Sequence, residues 1–461
     1  MVSFFHKVHP IIWICLAGLI LRLYRYTSQS IWLDETISIY IAMQSFLDVI
    51  TFMDPTPPLF YILLHFWIMV SSAEWWLKLL PVIVSTLTIF FTYKVAEKLY
   101  SHKIGIIASL FVMLSPIHVF YAQELRAYAL LFFVTTAVVY FYLQFDFSYK
   151  HKLWYVLFFI SVVYTHLFGL FVLCAIQVHR FVTRRKDFFR FSLWMKYHIF
   201  LTILTIPWFV QIYRLIQHGE AGWIIRPSLS RLGEVVYLSF GGVSAFMITT
   251  LTVVVCVILV LLAVWQKKIR FEYYWILIPV LLPFLASFIL KPFFYPRYAL
   301  LVSIPLFILI AHGVSRMRYK TVLICIVSLL LLSSTLLQAH SVTKDPWDEI
   351  IVERPVGFIA YYEAFSYIYI HERDCFFESS IDEVYVCASK RGIYGIMEDY
   401  PPPNLSSLVL SKDWLTQSDR QLASEYVPAN ATRIRYEINT DVWIFTNNAM
   451  IQPIYVVFLD E

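Results

Sequence analysis

Glycine is scarce in this chain, with 12 residues in 461, and none of it builds the Gly-rich loop that cradles nucleotide phosphates. A nucleotide-sugar or ATP site of the soluble kind is therefore not expected. Charge is also thin: Asp, Glu, Lys and Arg make up 15% of residues, against 60% hydrophobic and 18% aromatic. No water-soluble globule has that balance, so the chain reads as a polytopic α-helical membrane protein. The formal charge of +5 falls in short Lys and Arg clusters between apolar runs, a signal of orientation in a bilayer rather than of nucleic-acid binding. Cysteines number six, with no CxxC and no Cys/His metal pattern. Cys15, Cys174, Cys256 and Cys325 lie in apolar runs and read as small core residues. Cys375 and Cys387 lie in polar sequence, where an oxidising compartment would let them form a disulfide.

What is present is a series of long apolar runs. A first span covers 10–27, preceded by Lys7 and lacking a small-residue cleavage site, so an uncleaved anchor with a cytoplasmic N-terminus is expected. Further runs fall near 79–97, 104–119, 125–145, 153–165, 167–182, 197–216, 245–265, 273–290, 298–314 and 321–338. The linkers 94–103, 150–152, 180–196, 267–270 and 316–320 carry the excess of Lys and Arg. All five can face the cytoplasm only if the run at 57–72 does not cross the bilayer. That run, opened by Pro57-Pro58, is then a helix at the outer interface. The count becomes eleven spans with interfacial helices and an external C-terminus.

Sidedness then places the embedded polar clusters on one outer face: Asp34/Glu35, Gln123-Glu124-Leu125-Arg126, Tyr164-Thr165-His166, Gly219-Glu220-Ala221-Gly222-Trp223 and Tyr295-Pro296-Arg297-Tyr298. The short runs 153–165 and 167–182 meet at His166, an arrangement suited to a cavity below the membrane surface. From about 339 the composition turns polar, with β-like runs at Gly357–Tyr362, Glu383–Cys387, Leu408–Leu410 and Val442–Phe445. Residues 1–338 thus read as a membrane domain and 339–461 as a small extracytoplasmic α/β domain. Asn404-Leu405-Ser406 and Asn430-Ala431-Thr432 are sequons only in a cell that glycosylates them.

Each polar cluster has a plain reading beside a chemical one. Asp34 and Glu35 are adjacent carboxylates directly after a span, either solvated loop acids or a reactive pair in which an ionised member takes a proton from a hydroxyl. Glu124 with Arg126 is either an interfacial pair or a second acid whose guanidinium orients it or clamps a phosphate. Alone, His166 is a buried histidine. Arg297 and Lys291 either snorkel or meet a lipid phosphate at headgroup depth, where Phe293, Phe294 and Tyr295 suit a polyprenyl chain. The Trp residues near span ends need no more than the aromatic belt.

Five motifs in order carry a family resemblance: Trp32-Leu33-Asp34-Glu35; Thr56-Pro57-Pro58-Leu59-Phe60-Tyr61 through His65; Ser115-Pro116 with Tyr121-Ala122-Gln123-Glu124-Leu125-Arg126-Ala127-Tyr128; Tyr164-Thr165-His166-Leu167-Phe168-Gly169; and Pro296-Arg297-Tyr298. Over about 1–340 the chain resembles glycosyltransferases of family thirty-nine type in the GT-C superfamily, which includes protein O-mannosyltransferases and lipid A aminoarabinose transferases. The resemblance implies a GT-C fold and transfer of a monosaccharide from a polyprenyl-phosphate-linked donor to an acceptor hydroxyl on the outer face of the plasma (inner) membrane. Transfer would proceed with inversion, and the acceptor would be a glycan, lipid or protein. It implies Asp34 as the catalytic carboxylate, Glu35 as its partner and Glu124 as the second acidic position. Arg126, Lys291, Arg297 and Tyr298 would bind the donor phosphate, and His166, Tyr61 and Tyr128 would line the substrate pocket. No residue is assigned to a metal; a monophosphate leaving group calls for a divalent cation less clearly than a diphosphate does. The chain departs from the family at Thr56, where many relatives carry His before Pro-Pro and the aminoarabinose branch carries Lys. The rival reading is a transporter or lipid flippase. Inverted internal symmetry and mid-span charges would favour it, and the sequence carries neither.

Overall fold

The computed structural model describes residues 9–341 except 30, 53, 55, 147, 187–192, 219–223, 225, 244–246, 265–269 and 291, and beyond them 356–358, 368–369, 376, 393–395, 407–410, 431–438, 440–447 and 455–459. The chain forms two compact units, one of Met1–Tyr26 with Ile50–Val342 and the other of Thr27–Val49 with Thr343–Glu461. The loop after the first helix therefore groups with the C-terminal segment.

In chain order the described helices longer than the six-residue turn Phe46–Thr51 are α1 (Pro10–Leu23), α2 (Leu33–Met43, in the second unit), α3 (Leu59–Ile68), α4 (Glu74–Leu99), α5 (His102–Leu114) and α6 (Pro116–Ala122). They continue with α7 (Tyr128–Leu143), α8 (Tyr149–Val163), α9 (Gly169–Thr183), α10 (Leu193–His218), α11 (Ser230–Gly241), α12 (Met247–Val264) and α13 (Phe271–Ile289). A 3-10 turn (Pro296–Val302) leads into α14 (Ser303–Ser315), and α15 (Lys320–Ser341) follows. Each apolar run read as a span carries a helix among its described residues, although α1 ends at Leu23 rather than at 27 and the runs 104–119 and 125–145 include the non-helical Ser115 and 125–127. Polar caps mark several starts: Ser101 Oγ accepts the Ile104 N–H and Ser148 Oγ accepts the His151 N–H. Among the described residues six helices are long and apolar enough to cross a membrane, or seven if the bent pair α5 and α6 is one span. Pro10–Leu23, Tyr128–Leu143 and Gly169–Thr183 are apolar but shorter. The protein is thus a multi-pass membrane protein.

Helix α3 has 10 residues. At about 1.5 Å per residue it reaches about half of a hydrocarbon core of about 30 Å. It is joined to α4 by a reciprocal lock: Trp67 and Trp76 stack at 4.4 Å and 8°, and each indole N–H donates to the other's carbonyl, at 2.7 and 2.9 Å.

Pro116 breaks the α5–α6 helix, and the two halves meet at 60°. A break inside an apolar bundle frees backbone carbonyls that hydrocarbon cannot satisfy. Side chains from other helices claim them. Arg22, fully buried, donates to Val112 O at 3.4 Å and Met113 O at 3.3 Å; Thr335 donates to Leu114 O at 2.7 Å, and Gln338 to Pro116 O at 3.0 Å. Ser85 donates to His118 O at 3.3 Å and in turn accepts from Arg22 Nε at 2.8 Å.

The basic linkers meet one another. Arg270 lies over the Tyr100 ring at 4.3 Å and donates to Leu99 O, while His312 stacks on that ring at 4.0 Å and the Tyr100 hydroxyl donates to Glu272. Asp146 pairs with Arg180 and Arg184, both at 2.9 Å, and the Arg180 hydrogen bond holds its carboxyl below the usual carboxylate range. Phe271 joins the two groups, 5.2 Å from His179 and 5.5 Å from Tyr142.

In the second unit the described strands are β1 (Val356–Phe358), β2 (Ile393–Gly395), β3 (Ser407–Leu410), β4 (Ala431–Ile438), β5 (Thr440–Asn447) and β6 (Tyr455–Leu459). They form one mixed sheet in the order β2-β1-β3-β6-β5-β4, with β1 parallel to β2 and β3, β3 parallel to β6, and β5 antiparallel to β4 and β6. Three of the β-like runs read from the sequence fall on β1, β3 and β5; Glu383–Cys387 lies outside the described residues.

Candidate active site

Three interruptions of the helical bundle converge in the larger unit: residues 123–127 between α6 and α7, 164–168 between α8 and α9, and 292–298 after α13. Their rings form one aromatic floor. Tyr128 lies 4.6 Å from Tyr121, 6.0 Å from His166 and 6.4 Å from Tyr298, to which it is nearly parallel at 19°. His166 and Phe168 stand 5.1 and 5.3 Å from Tyr298. Helices α7 and α13 each run from this gathering to the basic linkers, so the two lie at opposite ends of the bundle.

Charge is set into that floor. The Arg297 guanidinium lies 5.0 Å from the Tyr295 ring and 5.6 Å from the Tyr298 ring, a cation held by two aromatic faces. Glu124 is 2% exposed, Arg126 is half-buried, and a tight backbone turn joins them, with Arg126 N–H donating to Glu124 O at 2.8 Å. The start of that loop is pinned by Gln123, whose amide donates to the carbonyls of Arg22 and Tyr24 at 2.9 Å each. His166 feels both Arg126 and Arg297, and burial together with these two cations pushes its pKa down to about 3. It is therefore neutral at physiological pH. Its Nδ1 accepts the Phe168 N–H at 3.1 Å, which leaves the proton on Nε2.

The Pro57-Pro58 element joins the same region. Leu59 N–H donates to Tyr164 O at 2.9 Å, and Asp54 Oδ1 accepts from the Tyr61 hydroxyl at 2.9 Å and from Thr56 N–H at 2.7 Å. Burial and the Asp54 carboxylate raise the Tyr61 phenol, and Arg126 is close enough to oppose them. Glu124, Arg126, Arg297, Tyr298, His166, Tyr61 and Tyr128 are thus neighbours within one unit. Two cations on an aromatic floor, with a buried carboxylate and a neutral N–H donor, make a place for an anionic, ring-bearing ligand.

Asp34 and Glu35 lie in the other unit, in the first turn of α2. They are not equivalent. Glu35 is fully buried, and its Oε2 accepts the Trp32 N–H at 3.3 Å, the reach-back half of a capping box. Asp34 is half-buried, and its backbone carbonyl accepts from Ser38 Oγ at 2.8 Å. Lys291, Cys375, Cys387 and the Gly219–Trp223 cluster lie outside the described residues.

Sequence reasoning passed over several residues here. Arg231, on α11, stands over Tyr295 at 5.9 Å on the ring that also meets Arg297, and pairs with Glu234 at 2.7 Å. Its signal is a short helical period after Pro227-Ser228, in the stretch between the runs 197–216 and 245–265. Asp54 lay two residues before the recognised Thr56. Lys78, fully buried and paired with Glu74 at 2.6 Å, stands directly before the apolar run 79–97. Among the described residues no group of three or more His, Cys, Asp or Glu side chains could hold a metal ion.

This bundle, with its broken helices and its short apolar α3, is the GT-C fold. No family model matches the chain and no curated protein matches it. Among solved structures, ArnT from Cupriavidus metallidurans bound to undecaprenyl phosphate is similar, with a TM-score of 0.54 and 14% identity over 83% of this chain and 75% of that one. The apo state of the same protein gives 0.52 and 14% over 79% and 69%.

Proposed function

We propose that the protein is a membrane glycosyltransferase that moves a monosaccharide from a polyprenyl-phosphate-linked donor to an acceptor hydroxyl on the outer face of the plasma (inner) membrane, inverting the anomeric centre. Eleven crossings would carry the catalytic domain, 1–338, and the domain 339–461 would be extracytoplasmic. The observation that carries the reading is Arg297 seated between Tyr295 and Tyr298, with Arg126, Glu124 and neutral His166 around it. A fold shared with a protein crystallised with undecaprenyl phosphate supports the donor class.

In the proposed step the acceptor oxygen bonds to C1 of the sugar as the bond from C1 to the phosphate oxygen breaks. The Asp34 carboxylate takes the acceptor's proton, and Glu35 holds the turn that presents it. The lipid phosphate leaves as a monoester with one more negative charge than it had as a diester. Arg297 and Arg126 meet that charge, with Lys291 and Arg231 as further cations. Tyr298 positions Arg297, while Tyr61, Tyr128 and the Nε2–H of His166 line the sugar's place. Glu124 is the second acid, oriented toward a sugar hydroxyl or the acceptor.

The test is to compare membrane glycolipids and glycoproteins by mass spectrometry with and without the gene, and to give the purified protein polyprenyl-phosphate sugars. A sugar-sized mass difference on a hydroxyl-bearing acceptor is expected. Identical profiles, with no transfer in vitro, would overturn the reading.

A further inference from the structure

Helix α2 carries both adjacent acids, and its side chains are buried on almost every face. Glu35, Thr36, Ser38 and Ile41 are fully buried, and Ile39 and Ala42 are 1% exposed. Eleven residues in an external loop cannot hold a helix by propensity alone, since isolated helices under about 12–15 residues are marginal in water. Something must supply the packing. The contact that identifies it is Tyr40, whose ring meets Phe376 edge-on at 6.3 Å; Phe376 meets Tyr369 edge-on at 4.9 Å. Tyr40 is 6% exposed, Tyr369 2%, and Phe376 and Ile368 are fully buried. The division of the chain agrees, grouping Thr27–Val49 with Thr343–Glu461.

We infer that Phe376 is a positioning residue for the acid-bearing turn: through Tyr40 it clamps α2 and so fixes where the Asp34 carboxylate stands. This inference rests on the proposed role of Asp34 and extends it to the C-terminal segment, which becomes part of the catalytic apparatus rather than an appended module. The clamp acts on the last turns of the helix. A rigid helix of this length transmits the constraint to its first turn, where the Trp32–Glu35 bond completes the fixation.

The experiment uses the full chain in lipid nanodiscs. Hydrogen exchange of residues 33–43, donor KM and turnover are measured in the native protein and in Phe376→Ala, Phe376→Leu and Phe376→Tyr. In Phe376→Ala, exchange across 33–43 should quicken about tenfold or more and turnover should fall by a similar factor, with donor KM unchanged within about twofold. Because the alanine variant risks unfolding its own unit, Phe376→Leu supplies the graded case, intermediate in both exchange and turnover. Phe376→Tyr keeps the ring and should restore both. Unchanged protection of 33–43 in Phe376→Ala overturns the clamp, and so does lost protection with native turnover. If the native protein transfers no sugar, the glycosyltransferase reading fails on its own, and the exchange arm still decides whether Phe376 holds α2.

Discussion

Arg22 Nη1 donates to the carbonyl of Met113 at 3.3 Å, so the first helix closes a break in a helix 91 residues further on. The guanidinium is fully buried and meets neutral acceptors: two carbonyls of the broken helix, its own helix's Gly18 O at 3.2 Å and Ser85 Oγ. Its planar fork suits that set, which a single ammonium would not. Replacing Arg22 by Ala removes the side-chain donor of the Met113 carbonyl and leaves Val112 O with only the Ser115 N–H at 3.4 Å, in an apolar interior. The expected loss is about 3 kcal/mol or more of stability, with Arg22→Lys recovering a small part. Thermal unfolding in detergent measures it; an unchanged midpoint in Arg22→Ala would mean that Thr335, Gln338 and Ser85 hold the break without it.

Asp34→Asn should abolish sugar transfer while leaving the unfolding midpoint and donor affinity close to native, because the amide keeps the shape and loses the base. Glu35→Gln should behave differently. An amide oxygen still accepts the Trp32 N–H, so transfer should survive within about tenfold, which is about 1.4 kcal/mol of barrier. Turnover of the two variants with a saturating polyprenyl-phosphate sugar separates the roles. Equal losses would return Glu35 to the chemistry.

Arg297→Ala should raise donor KM more than acceptor KM, since the residue is proposed to meet the lipid phosphate. A charge-assisted contact to phosphate is worth about 1.5–3 kcal/mol, a weakening of roughly tenfold to a hundredfold. Arg231→Ala should have a smaller effect of the same kind, because that guanidinium is also engaged by Glu234. Titrations with polyprenyl phosphate lacking the sugar give the donor-side constant directly. Equal effects of Arg297→Ala on donor and acceptor would point to a structural role.

How much was readable beforehand differs from element to element. The membrane helices were legible because long apolar runs leave the backbone one way to satisfy itself, and the basic linkers located the ends that later proved to touch. The meeting of Tyr128, His166 and Tyr298 is legible for the same reason: sidedness puts three distant motifs at one end of the bundle. Helices α2 and α11 were not, being short, half-polar and stabilised by partners far away in sequence. Strand β4 carried a readable alternation, with Ile434, Tyr436 and Ile438 between Arg433, Arg435 and Glu437. The different tasks of Asp34 and Glu35 could not be read from adjacency. They follow from where the helix begins, which makes Glu35 the third helical residue and thus the one that reaches back to Trp32. Arg22 was hidden as an ordinary cation at a span's end, because its acceptors are backbone atoms that no side-chain pattern announces.

His166 provides a pH test. Its folded pKa of about 3 lies below the usual 6.5, so between those values the unfolded chain binds a proton that the folded chain refuses. Stability from this group is complete above pH 6.5 and is lost as the pH falls toward 3. The unfolding midpoint of the native protein should therefore decline with acidification across that window more steeply than that of His166→Gln, where nothing titrates. The glutamine keeps an acceptor for the Phe168 N–H and a donor toward the site, so it should fold, while a displaced donor should lower turnover. Transfer by the native enzyme should show no histidine ionisation between pH 6.5 and 8, because the imidazole is neutral throughout. The discriminating quantity is the difference in midpoint between native and His166→Gln protein at pH 7.5 and at pH 5. A difference that does not change with pH would place the acid sensitivity elsewhere and remove the two arginines as neighbours that keep this ring uncharged.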